Sequence, residues 1–409
     1  MNHQNVLRTL FFVPCIIFAS NLCNAQLRFN LDANIELTAA SFNPNRDPER
    51  TINTNFRDDD PFNPVRGKLF THLQFSDMFG IEGEFLFDNK GKRFDRSKGN
   101  QQFRMDGLFL SVRGLASNHL NFWLGRVPTP VGTFSARSYS HVNPLIGYPL
   151  AYHYKIPYNV FTLNPEAQNL SLRDNNVGAG TAIYEACWIT GLTTFGEIEG
   201  FTYMLAIGQG TLTNPEAKEN GGFQIAGRIG RQVSEEFSVG VSGGIAPYLQ
   251  HDLNLPAGVG VRDPEHVLAG IDVSVAVKQY RIHFEAFHNS WDTPQYQHET
   301  SVRAYTWYLE GQYFILENFY AAARFDQMLY NNITDPLTGT STPWGYNVNR
   351  LEAGLGFSPL DELTIKGIAQ QYWLDNPSSN SITILALQAA FRFDHVTDIF
   401  DSYFSQPIH

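Results

Sequence analysis

The chain has 409 residues and a formal net charge of -11, with 29 Lys and Arg against 40 Asp and Glu, so it lacks the basic excess that nucleic-acid binding requires. Its 3 cysteines are too few for a disulfide-built scaffold. Mean hydropathy is -0.24 although 14% of residues are aromatic, a mixture that speaks against a bundle of membrane helices and suits a sheet whose apolar residues are diluted by polar ones.

In chain order, residues 1–25 read as a secretory signal: Arg8, an apolar run over 10–19, and Ala25 before a cut at Gln26. The run is too short to span a bilayer as a helix. Cys15 and Cys23 leave with the signal, which leaves Cys187 alone as a small strand residue. Loss of Arg8 takes the net charge from -11 to -12. Strand patterning begins almost at Gln26, which predicts no N-terminal plug domain.

From there the pattern alternates. Phe29, Leu31, Ala33, Ile35 and Leu37 interleave with Asn30, Asp32, Asn34, Glu36 and Thr38. Leu69, Leu73, Ile81 and Phe85 alternate with Lys68, His72, Glu82 and Glu84, and the same rhythm recurs over 267–278, 350–357 and 385–393. Period-two alternation gives each strand one apolar and one polar face. A soluble sandwich would bury the apolar face; a transmembrane barrel turns it to lipid and keeps the polar face around a lumen.

Connection lengths favour the barrel. Short links fall at 77–78, 116–118, 196–199, 233–236, 279, 315–318 and 358–362. Long ones fall at 43–64, 89–101, 128–178, 209–221, 250–266, 292–300, 331–349 and 375–381. Short turns on one rim and long loops on the other are an outer-membrane layout, and counting between breaks gives about sixteen strands. The expected fold is therefore all-β, an antiparallel transmembrane β-barrel over 26–393 with a long third extracellular loop. Phe79, Tyr280, Tyr313, Phe319 and Phe393 fall near the short turns, with Trp291 and Trp373 near the opposite rim, as expected for two aromatic girdles.

The loop at 128–178 is by far the longest, and so is the candidate constriction of the pore. It carries Arg137, His141, His153, Lys155 and Arg173 against Glu166 and Asp174. On the strands, Arg66 and Lys68 stand one strand before Glu82 and Glu84, while Arg324 and Asp326 precede Arg350 and Glu352. These read as cross-strand pairs first and as part of a solute path second. His141 and His153 lack metal-ligand spacing, and 58–60 (three aspartates) reads as a solvated loop.

The passage Leu124-Gly125-Arg126-Val127-Pro128-Thr129-Pro130-Val131-Gly132-Thr133-Phe134 resembles the Gly-x-x-x-x-Pro-x-Gly entry to the third loop of the phosphate-selective porin group and related substrate-specific porins. Gly and Pro would end the strand and turn the chain inward. The resemblance implies a sixteen-stranded porin, usually a homotrimer, with basic residues at its constriction. The loop departs from that group in lacking a dense Lys and Arg run, so only a diffusion porin is carried over.

The expected function is passage of small hydrophilic solutes or ions through the outer membrane of a Gram-negative bacterium, in contact with lipid and lipopolysaccharide. The second reading is an adhesion or structural barrel whose loops bind a partner. No Gly-x-Ser-x-Gly, His-Glu-x-x-His or phosphate-cradling motif supplies catalysis, and no cofactor or metal is implied. Residues 394–409 form a periplasmic tail in which Val396, Ile399, Phe400, Tyr403 and Phe404 recur at helical spacing, suggesting a short amphipathic helix.

Overall fold

The alternating segments pair edge to edge and close on themselves. The computed structural model describes residues 28–43, 65–88, 103–153, 181–183, 188–213, 220–249, 258–292, 301–334, 339, 341–344, 347–375 and 381–397. In chain order the strands are β1 (Arg28–Asn43), β2 (Val65–Gln74), β3 (Phe79–Asp88), β4 (Phe103–Leu115), β5 (Leu120–Pro128), β6 (Trp188–Ile198), β7 (Phe201–Gln209), β8 (Phe223–Ser234) and β9 (Phe237–Pro247). They continue as β10 (Glu265–Val277), β11 (Tyr280–Asp292), β12 (Ser301–Leu316), β13 (Phe319–Tyr330), β14 (Asn332–Thr334), β15 (Ser341–Pro343), β16 (Val348–Leu360), β17 (Leu363–Leu374) and β18 (Ser381–Thr397). β14 and β15 form a separate hairpin; the other 16 strands form one closed barrel in which each pairs antiparallel with its sequence neighbour. The first and last strands complete the ring, from Phe29↔Thr397 to Asn43↔Thr383.

All seven short links are tight turns on one rim. At Glu199–Gly200 both residues have positive φ (51° and 77°), the two-residue hairpin geometry whose twist matches its strands. Residue β-faces follow the alternation. Leu108, Leu124, Leu205, Ile225, Val241, Ile271, Leu309, Leu355 and Leu387 are exposed on the outside, while Asn34, Glu84, Asp272, Glu310, Arg324 and Lys366 are buried inside. A sheet that exposes its aliphatic face and buries its charged one is matched to lipid, not to water. Near the turns the outer face carries Tyr280 against Tyr313 at 4.8 Å and Phe319 against Phe357 at 6.5 Å. Toward the other rim, the Trp307 indole donates to Gln327 (3.0 Å), which donates to Asn349 (2.7 Å). These two amphipathic bands bracket the apolar zone.

Three expectations need correction. Trp291 does not belong to an outer girdle: it points inward, fully buried, its ring parallel to His266 at 4.7 Å. The barrel does not end at Phe393, because β18 pairs on through Asp394, His395 and Val396 to Thr397 opposite β1. The backbone ladder outweighs the helical spacing there, and 398–409, with the rest of the expected helix, lies outside the described residues. The third long connection also outlasts 178, since β6 starts only at Trp188.

The largest buried apolar cluster forms inside the barrel. Leu145, Ile146 and Leu150 of the third loop pack with Met328, Val348, Ile368, Tyr372 and Ile384 of the wall. Each of these loop side chains contributes about 2 kcal/mol by leaving water. An inner wall that is apolar under the loop therefore draws the loop into the lumen.

Candidate functional site

The third loop enters from β5 and crosses to the wall at β11. Gly132 has φ +63°, and a Cβ there would stand 3.0 Å from both Glu285 Oε2 and Phe287 Cζ, so the entry needs glycine. Immediately after it, one-turn helix α1 (Phe134–Arg137) starts over Glu285, whose Oε1 accepts from Thr133 N (2.5 Å), Thr133 Oγ1 (2.5 Å) and Phe134 N (3.1 Å). The Tyr152 hydroxyl of α2 (Leu150–His153) donates to Glu285 Oε2 at 2.5 Å. A wall carboxylate thus holds both ends of this stretch of loop, and burial with Glu285 alongside pushes the Tyr152 phenol well above its ordinary value.

Beyond α1 the loop passes from partners on β12 to partners on β3 within two residues, then turns back over β1, β17, β16 and β13. Arg137 donates to Glu310 Oε1 (2.6 Å) and to the Tyr308 hydroxyl (2.7 Å). Burial opposes its charge, but Tyr308 and Glu310 outweigh burial and hold the guanidinium pKa above its usual value. Tyr139 reaches the far side, where it packs edge-on to Phe70 at 5.3 Å, lies under Lys68 Nζ at 4.4 Å, and donates to Glu84 Oε2 at 3.0 Å. Burial, then Glu84, raises the Tyr139 pKa. Asn34 of β1 donates to Ser140 Oγ at 2.8 Å.

Between Ser140 and Leu150 the wall grips the loop backbone with charges of both signs. Lys366 Nζ donates to the carbonyl oxygens of Ser140 (2.7 Å), Asn143 (3.0 Å) and Leu145 (3.0 Å). Arg324 donates to Gly147 O (2.8 Å) and Asn143 Oδ1 (3.1 Å), and Arg350 to Tyr148 O (2.5 Å). In return Glu352 accepts from Ile146 N (3.2 Å) and Gly147 N (2.7 Å), and Asp326 from Leu150 N (3.2 Å). The same groups pair across strands: Arg324 with Glu310 and Glu352, Arg350 with Asp326. Arg324, Arg350, Asp326, Glu352 and Lys366 all have 0% exposure, so their charges are offset by one another, by Glu310, by the Tyr372 hydroxyl and by loop dipoles.

The expected site residues divide accordingly. Arg324 and Asp326 form the expected cross-strand pairs but are sealed under the loop; they do not face a solute path, because the apolar wall around them brings the loop down onto them. Lys68 pairs with Glu84 at 2.9 Å as expected. Arg66 instead takes Asp88 (3.0 Å) and Glu36 (3.4 Å), and Glu82 takes Arg113 (2.5 Å). His141 is half-buried and stacks on Tyr139 at 6.0 Å. His153 closes α2, its side chain outside the described residues; Lys155, Arg173 and residues 58–60 also lie outside them. Sequence reasoning missed Glu285, Glu310, Tyr308 and Lys366. An inward lysine between Ile365 and Gly367, on a strand face that goes on with Ile368, Gln370 and Tyr372, was the available signal.

The opposite wall, β3 to β10, holds a different surface. Arg104 pairs side-on with the Asp106 carboxylate, the extra residue of a bulge opposite Glu84 and Phe85. Arg228 of β8 meets Asp272 of β10 side-on (2.8 and 2.6 Å), passing over Gly240 of β9, where a Cβ would run into both. Inward rings of Phe109, Trp123 and Phe195 form a run over β4, β5 and β6, with centroids 5.1 and 4.5 Å apart.

No protein-family model matches this chain, and no curated protein sequence matches it. Solved structures do. OmpF of Salmonella typhi, in complex with daunomycin, is similar with a TM-score of 0.55 at 11% identity, over 89% of this chain and 97% of that one. The anion-selective porin of Comamonas acidovorans gives 0.52 at 8% identity, over 90% and 100%. The trimer form of OmpT, an outer membrane protein of Vibrio cholerae, gives 0.52 at 10% identity, over 90% and 99%. The resemblance to outer-membrane porins is therefore one of fold along nearly the whole chain.

Proposed function

We propose that this chain is an outer-membrane porin of a Gram-negative bacterium, which lets small hydrophilic solutes or ions diffuse through a water-filled lumen narrowed by the third loop. The observation that carries this reading is the third loop inside the barrel, tied at Glu285 and Glu84 and held between them by buried charges on strands β13–β17. A loop fixed in that manner reduces the bore without filling it by side chains alone, and the field of its exposed face bears on what passes. Arg137, Tyr139 and His141 are the loop residues at that face; Lys68, Glu84, Arg104 and Arg228 stand on the strands beyond. The reading involves diffusion and no reaction. Its membrane partners are lipid on the apolar zone and lipopolysaccharide at the outer band, and its assembly is a homotrimer.

Single-channel recording in planar bilayers tests the reading. Stepwise insertions with ohmic open current are expected; folded protein that inserts yet never conducts would overturn it in favour of an adhesion or structural barrel.

A further inference from the structure

We infer that the outer face of β8–β12 seats one phosphorylated lipid of the outer leaflet, with its phosphate on Arg303, His288 and Tyr305 and an acyl chain in a furrow below them. This goes beyond the diffusion reading and rests only on the outer-membrane placement. On β11 the inward residues Glu285, Phe287, Asn289 and Trp291 are buried, so His288 and Ser290 between them point outward. His288 is opposite Tyr305 on β12, their rings 4.9 Å apart, and Ser290 is opposite Arg303. The main chain of Arg303 is fixed: its N–H donates to Asn331 Oδ1 (2.6 Å) and its carbonyl accepts from Trp344 Nε1 (2.8 Å). Yet the exposed Arg303 guanidinium, the His288 imidazole and the Tyr305 hydroxyl make no hydrogen bond or ion pair among the described residues. Asp292, one step farther out, accepts from Glu265 N (3.4 Å) and does not pair with Arg303. Donors gathered on the face that meets lipid, with no carboxylate to occupy them, are matched to a phosphate.

The height and the surroundings of this group specify a lipid rather than a free anion. Tyr305 lies far from the short turns, on a strand that runs on to Leu316; strand rise and barrel tilt put it about 25 Å above them, at the outer edge of the apolar band. From Tyr305 the register row runs through His288, Ala269, Gly243 and Gly227 to Leu205, which lies close to Phe201 at the inner end of β7. The row therefore descends from the headgroup level into the apolar zone. Along it Ala269, Gly243 and Gly227 present nothing larger than a methyl group on three adjacent strands. The rows on either side are bulky: Val267, Ile245 and Ile225 toward the outer rim, and Ile271, Val241 and Ile229 toward the inner one, all 37–55% exposed. A furrow between two ridges of branched side chains gives an acyl chain dispersion contacts on both flanks. Its polar end is uppermost, which is the polarity of a lipid in the outer leaflet.

The test is native mass spectrometry of the full-length folded protein in detergent with bisphosphorylated lipid A, against phosphatidylethanolamine. Lipid A is expected to be retained in preference to phosphatidylethanolamine, and excess inorganic phosphate should not displace it. Arg303→Gln, which removes the charge, and Ala269→Phe, which fills the furrow, should each lower retention about fivefold. Heat-dependent gel mobility shows that a variant is folded; if Ala269→Phe is not, Ala269→Leu replaces it. Equal retention of the two lipids, or unchanged retention in a folded variant of either position, would overturn the inference. So would displacement by inorganic phosphate, which would leave an anion site without a lipid. Neither position lines the lumen, so channel recording judges the diffusion reading separately.

Discussion

Arg324 donates from β13 to the carbonyl oxygen of Gly147 at 2.8 Å, with the arginine fully buried. Around this contact the wall reads the loop as backbone: cations of Arg324, Arg350 and Lys366 hold carbonyl oxygens, and carboxylates of Glu352, Asp326 and Glu285 hold amides. Every residue carries one donor and one acceptor on its main chain, so such a wall fixes the path of the loop with little demand on its side chains.

Arg324→Met should be severely destabilising. It leaves Glu352 without its buried arginine and Glu310 with Arg137 alone, a loss of about 3–5 kcal/mol. Urea unfolding in detergent or lipid checks it, and a change under 1 kcal/mol would mean that loop contacts contribute little to the fold.

Gly147→Ala should loosen the loop while sparing the barrel. A Cβ at this position would run into Glu352 and Gln370, both buried. The expected cost is about 2 kcal/mol, with raised open-channel noise. Current traces indistinguishable from those of the unmodified protein would show that this part of the loop does not bear on conduction.

Arg137→Glu should move the reversal potential in a salt gradient toward cations, by about two- to fivefold in permeability ratio. It places a second carboxylate beside Glu310 at a loop position that keeps 15% side-chain exposure. An unmoved reversal potential would remove Arg137 from the path.

Alkaline pH should weaken the loop. Burial raises the pKa of Tyr139 and Tyr152 above the ordinary 10.0, each beside a wall carboxylate. A phenol whose pKa is higher in the folded state stabilises fully below its unfolded value, and that contribution is lost as pH rises from about 10 through the folded value. The urea midpoint is expected to fall above about pH 10, and less steeply in Tyr139→Phe with Tyr152→Phe. Equal slopes would show that neither phenol is linked to folding.

The barrel was legible because its signal is local. Alternation along Leu31–Asp32–Ala33–Asn34 and the brevity of turns such as Glu199–Gly200 are written in adjacent residues, and strand parity then closes the ring. Partner choice was only partly legible. Lys68 and Glu84 could be matched from their strands, but Arg66 prefers Asp88 and Glu36 because both neighbouring strands offer a carboxylate at its level. The grip on the loop had no sequence signature: the acceptors for Lys366 are three carbonyl oxygens, present in any residue. Trp291 was misplaced because proximity to a rim says nothing of which face a ring occupies unless its parity with buried His266 and Asn289 is counted. At Asp394 to Thr397, apolar residues at helical spacing coincide with a strand that still has a partner to pair with.

The seam from Phe29↔Thr397 to Asn43↔Thr383 ties the start of the described chain to its end. Its contacts are separated by more residues than any others in the ring, so their loop-closure entropy is met last. Until β18 arrives, β1 presents a row of unpaired amides and carbonyls that would template aggregation in water. The first strand therefore stays open until the last one pairs with it, and a copy that ends before Ser381 would keep that edge permanently adhesive.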